Sequence, residues 1–298
     1  MSCELPDACG NDLREESLLA AQQKNDGRSW AERFFQREKI LLGACLVMII
    51  LLNFDTGRYI LYPFKLFSTW VHEMSHGTAA ILVGGKIKEL HIFHDGSGSC
   101  YYYFDGDTWK GAFVSSAGYT GTAFWGCILL LFRRTVLGPT IGTIGFGVAI
   151  LLSCALYVRN AFGLIALIIE GLSLILFGWF LPALWLDNLY SFLAVTCSMN
   201  ALLDIRNLYG SSQGYVGGQL STTDASAVSQ YWGGDYRLWA TLWLIFAIVM
   251  TLIGLIFAKD AKEMPQNKTV KQPQYDQQQV PVVTPTQRTG DYYWAQPV

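Results

Sequence analysis

The sequence predicts an all-α polytopic membrane protein with about seven transmembrane helices, a small β-hairpin after the second, and a disordered C-terminal tail. Three observations carry that expectation. The chain has 298 residues, of which 52% are hydrophobic and only 15% charged. A soluble domain carries about 25% charged residues. Mean hydropathy is +0.28, and uncharged runs long enough to span hydrocarbon recur along the chain. The formal net charge of −2 excludes an electrostatic nucleic-acid partner. The seven cysteines are scattered, without a C-x-x-C pair, so neither a disulfide framework nor a cysteine zinc site is indicated.

Three segments follow from composition: a polar N-terminal arm over 1–38, a membrane domain over 39–258, and a Gln- and Pro-rich tail over 259–298. The arm has no apolar signal-peptide core. Arg28, Arg33, Arg37 and Lys39 precede the first apolar run, which places that end in the cytoplasm. The remaining loop charges show only a weak bias. Asn267-Lys268-Thr269 is a glycosylation sequon, usable only if the tail is lumenal or extracellular.

The first span is expected from Ile40 to Phe54, the second from Leu61 to Gly85. Lys86 to Phe93 then alternates polar and apolar residues, Asp95 to Ser99 is a turn, and Cys100 to Phe104 is an aromatic strand, so the three read as a hairpin. The third span runs from Trp109 to Phe132, with Gly118, Thr122 and Gly126 at a spacing that permits close helix approach. The fourth starts after Pro139, and the fifth covers Ala161 to Leu181 with Glu170 inside it, read as a structural polar contact. The sixth apolar stretch runs from Pro182 to Asp204, and the seventh from Leu238 to Phe257. Ile205 to Asp235 is polar and rich in Gly and Ser, and reads as a loop.

The second span carries His72-Glu73-Met74-Ser75-His76. Two histidines four apart share one helix face, which lets both imidazoles bind a single Zn²⁺. The intervening Glu73 is then placed as general base for the attacking water. Ionisable groups within a span cost about 2.5–3.5 kcal/mol each on insertion scales, so three within five positions imply a functional site. A catalytic zinc takes three protein ligands. Asp204, closing an apolar stretch, is the expected third; Asp187 and Asp224 are weaker candidates. Asn200, one helical turn before Asp204, is expected to contact substrate or orient that carboxylate. Bringing Asp204 to the depth of His72 requires a broken or unwound sixth helix. His91 and His94 read as exposed hairpin residues, Ser75 as no nucleophile, and Tyr101 to Phe104 as an interfacial aromatic cluster.

On these residues the chain resembles the site-2 protease superfamily of intramembrane zinc metallopeptidases, and within it the peptidase M50B-like group. The likeness lies in His72-Glu73-Met74-Ser75-His76-Gly77, Gly84-Gly85-Lys86 with the β-like segment after it, Gly118-Tyr119, the Asp204 region and Thr223-Asp224-Ala225. It implies zinc held by His72, His76 and Asp204, with Glu73 activating water. The superfamily's second motif, N-x-x-P-x-x-x-L-D-G, is matched at Leu203-Asp204 only. Thr196, Met199 and Ile205 stand in place of its asparagine, proline and glycine.

The expected function is therefore zinc-dependent hydrolysis of peptide bonds in or near the bilayer. Its partners would be a membrane-protein or peptide substrate and the lipid itself, with the chain an integral, multi-pass membrane protein. The alternative is a catalytically inactive relative that binds membrane proteins or scaffolds them, which the imperfect second motif favours. A transporter ranks last, because no paired halves are visible.

Overall fold

The computed structural model describes residues 30–135 and 137–258. The expectations for the rest of the N-terminal arm, for the tail and for its sequon lie outside the described residues. Eight helices and two small antiparallel sheets are present among those described. In chain order they are α1 (Trp30–Leu52), α2 (Asp55–Leu82), β1 (Lys86–Ile92), β2 (Gly98–Tyr103), α3 (Thr108–Phe132), α4 (Gly138–Leu156), α5 (Ala161–Phe180), α6 (Ala183–Leu208), β3 (Gln213–Val216), β4 (Gln219–Thr222), α7 (Asp224–Trp232) and α8 (Tyr236–Ile256).

Four of these, α3, α4, α5 and α8, are long and apolar enough to cross a membrane, and Leu41–Leu52 is a shorter apolar stretch. Helices α2 and α6 fall short of that measure because they carry polar groups inside: Lys65, His72, Glu73 and His76 on one, Asn200 and Asp204 on the other. Helix α1 begins at Trp30, within the segment assigned by composition to the polar arm.

Helix α3 is the centre of the bundle and packs against α2, α6, α7 and α8. Its small residues make this possible. A Cβ on Gly126 would lie 2.7 Å from Ser198 Oγ of α6, and one on Gly111 would lie 2.4 Å from the Tyr231 ring of α7. Helices α4 and α5 form their own close pair. A Cβ on Gly147 would come within 2.6 Å of the Gly171 carbonyl oxygen, so the two backbones touch. Their outer faces expose Ile141, Leu152, Ile165, Ile169 and Trp179. Arg133, at the end of α3, is buried against Glu38 of α1, and Arg134 reaches the same carboxylate at 3.5 Å. These arginines close an internal ion cluster, which is one reason that loop charges gave so weak an orientation signal.

The first hairpin pairs Lys86 with Tyr103 and Ile92 with Gly98, with an irregularity between Ile87 and Glu89. The outer edge of β1 is closed by the α4–α5 connection. The Leu90 N–H donates to the Tyr157 carbonyl, the Arg159 N–H donates to the Leu90 carbonyl, and Asn160 bonds both backbone groups of Ile92. Because Leu90 and Ile92 turn their backbone groups away from β2, their partners Cys100 and Gly98 turn theirs away from β1. The edge of β2 away from β1 is unpaired among the described strands, and its Gly98–Cys100 side-chain face packs on α2.

The segment read as a loop over 205–235 is corrected. Helix α6 continues through Leu208, β3 and β4 pair from Gln213↔Thr222 to Val216↔Gln219, and α7 follows at once. Gly217 and Gly218, at φ 56° and 79°, make the two-residue turn that a right-twisted hairpin favours. The Thr223 side chain caps α7 by accepting the Ser226 N–H, and Gly233 at φ 78° ends it.

Candidate metal centre

One face of α2 carries Lys65, Ser68, Thr69, His72, Glu73 and His76, spaced by three and four residues, and lines a cavity of about 470 Å³. The opposite face is anchored by buried Phe67, Trp70 and Val71, and the Trp70 indole N–H donates to Ser153 Oγ at 2.8 Å. This anchoring fixes the rotation of the helix and so aims its polar face.

His72 and His76 bring their Nε2 atoms to 3.1 Å. Asp224, the first residue of α7, places Oδ2 3.1 Å from His72 Nε2 and 3.4 Å from His76 Nε2. These ligand atoms all lie within 4.8 Å of one another. His76 Nδ1 is 2.7 Å from the Val114 carbonyl oxygen of α3, to which it donates. In a neutral ring that bond leaves Nε2 without a proton. A bare nitrogen lone pair then faces a carboxylate oxygen and a second imidazole, an arrangement that repels unless a proton or a metal ion lies between them. Burial by itself would push the Asp224 carboxyl up. The imidazoles of His76 and His72, when protonated, outweigh that and hold it well below the usual carboxylate range.

The donor set fits zinc. Ligand atoms about 2.0–2.1 Å from a tetrahedral ion stand about 3.3 Å from one another. The three separations here are 3.1, 3.1 and 3.4 Å. Room for an ion comes from Gly118 of α3, where a Cβ would lie 2.4 Å from both Nε2 atoms. The Val114 bond is the support from outside the ligand set that orients a metal-binding histidine. Tyr119 packs edge-on against the His72 ring, with centroids 4.7 Å apart, and stacks in turn on Trp243 of α8.

Glu73 is buried beside this group. A Cβ on Gly98 would meet the Glu73 side chain at 2.6 Å, so β2 lies directly over it. The two hairpins meet above the cavity. Gly217 N–H donates to Ser97 Oγ at 3.0 Å, and the Ser97 hydroxyl also donates to Asp95.

His72, Glu73 and His76 thus come together as expected, and Asp224 rather than Asp204 completes the group. Asp204 and Asn200 line the same cavity, but Asp204 lies outside the ligand cluster. The physical reason is that α6 runs unbroken through Leu208, so nothing draws Asp204 to the imidazoles, while the second hairpin delivers α7's first residue there instead. The signal for Asp224 was present as Gly217-Gly218 followed by Thr223-Asp224-Ala225-Ser226, a turn and then a helix start. Asp187 does not line the cavity. Ser75 donates to the Val71 carbonyl of its own helix. His94 is exposed, and His91 lies half-buried beside Glu89 and Tyr101, both away from the cavity.

A helical bundle with two histidines, a carboxylate and a buried glutamate around one cavity has the side-chain set of a metallopeptidase. The chain belongs to the peptidase M50B-like family, whose family model matches residues 41–254. That membership agrees with the site-2 protease resemblance seen in its motifs. Comparison with curated proteins and with solved structures gave no match.

Proposed function

We propose that this chain is a multi-pass membrane zinc metallopeptidase that hydrolyses peptide bonds in or near the bilayer. The observation that carries the reading is the convergence of His72 Nε2, His76 Nε2 and Asp224 Oδ2 around a space that only a glycine at 118 leaves open. These three residues would hold the ion. Zinc, when bound, polarises a carbonyl and lowers the pKa of water towards about 7. Glu73 takes the proton from the attacking water and gives it to the leaving amine, and its burial limits competing contact with bulk solvent.

An extended substrate fits along the free edge of β2. Gly98 and Cys100 turn their backbone groups away from β1, and a Cβ on Gly98 would meet the Glu73 side chain. A strand added there would pass across the carboxylate. In this reading α1, α2 and α6 cross the membrane with the four apolar helices, making seven spans. The polar faces of α2 and α6 are turned into the cavity, away from lipid.

Metal analysis and peptide cleavage test the proposal together. The purified protein is expected to hold about one zinc per chain, as three-ligand catalytic sites do. Glu73→Gln should keep that zinc and lose cleavage, whereas Asp224→Asn should lose zinc. Cleavage by Glu73→Gln would reject the assigned base. The departures at Thr196, Met199 and Ile205 favour the second reading, an inactive relative that binds membrane proteins. Zinc binding without cleavage of any peptide would select it.

A further inference from the structure

The ligand set and Glu73 leave one acidic group in the cavity without a role. Asp204 lies on the α6 face that also presents Asn200 and Leu208, across from the α2 face carrying His72. Its side chain is accessible to the cavity. Among the described residues no hydrogen bond or ion pair reaches its carboxylate. Lys65 lines the same cavity. Its ammonium instead donates to the Asp95 carbonyl at 3.1 Å, at the tip of the first hairpin.

We propose that Asp204 is a specificity-determining residue that receives a lysine or arginine side chain of the substrate, flanking the peptide bond to be cut. This rests on the hydrolase reading above. An ionised carboxylate offers only acceptors, so it selects a donor, and a cationic donor bonds roughly twice as strongly as a neutral one. The cavity is walled by helices and hairpins, which weakens solvent screening of that attraction. A substrate cation that replaces cavity water at this carboxylate gains a charge-assisted bond, which a neutral side chain cannot make. Asn200, one turn earlier on the same face, supplies a neutral amide beside it. The site therefore discriminates by charge next to an otherwise apolar segment.

The test uses matched apolar peptides that differ at one position, carrying lysine, norleucine or glutamate, scanned through the residues flanking the scissile bond. Full-length protein in detergent is assayed for cleavage, and zinc-loaded Glu73→Gln for binding by fluorescence anisotropy. The expected result is a preference for lysine over norleucine in both assays. Asp204→Asn, added to either background, should lose that preference by about tenfold or more, the scale of one charge-assisted hydrogen bond, with zinc content unchanged. Asp204→Lys should shift the preference to glutamate, an outcome that a merely structural role would not produce. Equal handling of lysine and norleucine, or a lysine preference that survives Asp204→Asn, overturns the inference while leaving the hydrolase reading intact. Lysine-selective binding without cleavage by the wild type would instead uphold Asp204 and remove the hydrolase reading.

Discussion

At the residue scale the site depends on what is missing at position 118. The Gly118 Cα faces both imidazoles, and any Cβ would lie 2.4 Å from His72 Nε2 and His76 Nε2. Nothing there can give way easily, because His76 is tied to Val114 and His72 is wedged against Tyr119. Gly118→Ala should therefore reduce zinc affinity by about tenfold or more, the scale seen when metal-site supports are altered. Gly43→Ala is the matching control, since a Cβ there meets nothing within 4 Å. Zinc competition against a chelator measures the difference. Unaltered affinity in Gly118→Ala would contradict the cradle assigned to this glycine. The sequence showed Gly118, Thr122 and Gly126 only as a packing stripe. That two of them contact α6 or the imidazoles follows from which neighbours α3 meets, and spacing alone does not contain that information.

At the element scale, the second hairpin and α7 together act as the arm that carries Asp224. The hairpin is anchored at its tip through Gly217 and Ser97, and at its base the Thr223 and Ser226 side chains bond the Ser212 carbonyl. Thr223 also caps α7, so it fixes both the helix start and the adjacent carboxylate. Thr223→Ala should cost about 1 kcal/mol of stability, the usual worth of such a cap. It should also weaken zinc binding more than an equally destabilising change elsewhere in the bundle. Thermal melts with and without zinc would separate the two effects. A loss of stability with unchanged zinc affinity would show that the cap does not position Asp224. The first hairpin was readable from alternation. The second was hidden by its short, polar, exposed strands, whose composition resembles that of a loop.

At the scale of the whole molecule, the bundle turns polar faces inward and apolar faces outward. Exposed Ile165, Ile169, Leu176 and Phe180 on α5, with Ile245 and Leu252 on α8, form surfaces that water would drive to aggregate. Their long apolar helices suit hydrocarbon. The protein is accordingly expected to stay with membranes through alkaline carbonate washing and to need detergent for release. Release by carbonate alone would count against an integral protein. In α2 and α6, residues that line the cavity lower the mean hydropathy of the helix that holds them, which keeps both below the measure that the four apolar helices meet.

The sequence alone determined the helical class, the hairpin after the second helix, and His72, Glu73 and His76 as one group on a single helix face. Each of these is a local signal, since an apolar run, a period of two and an i, i+4 histidine pair are all complete within one element. Only the tertiary structure decided which carboxylate joins the histidines. Asp204 closes an apolar stretch while Asp224 lies in a polar one, and 152 positions separate His72 from Asp224. The choice was made by an unbroken α6, a two-glycine turn and a capped nine-residue helix. These set where each side chain ends in space, a property of the packed chain that no single stretch of it encodes.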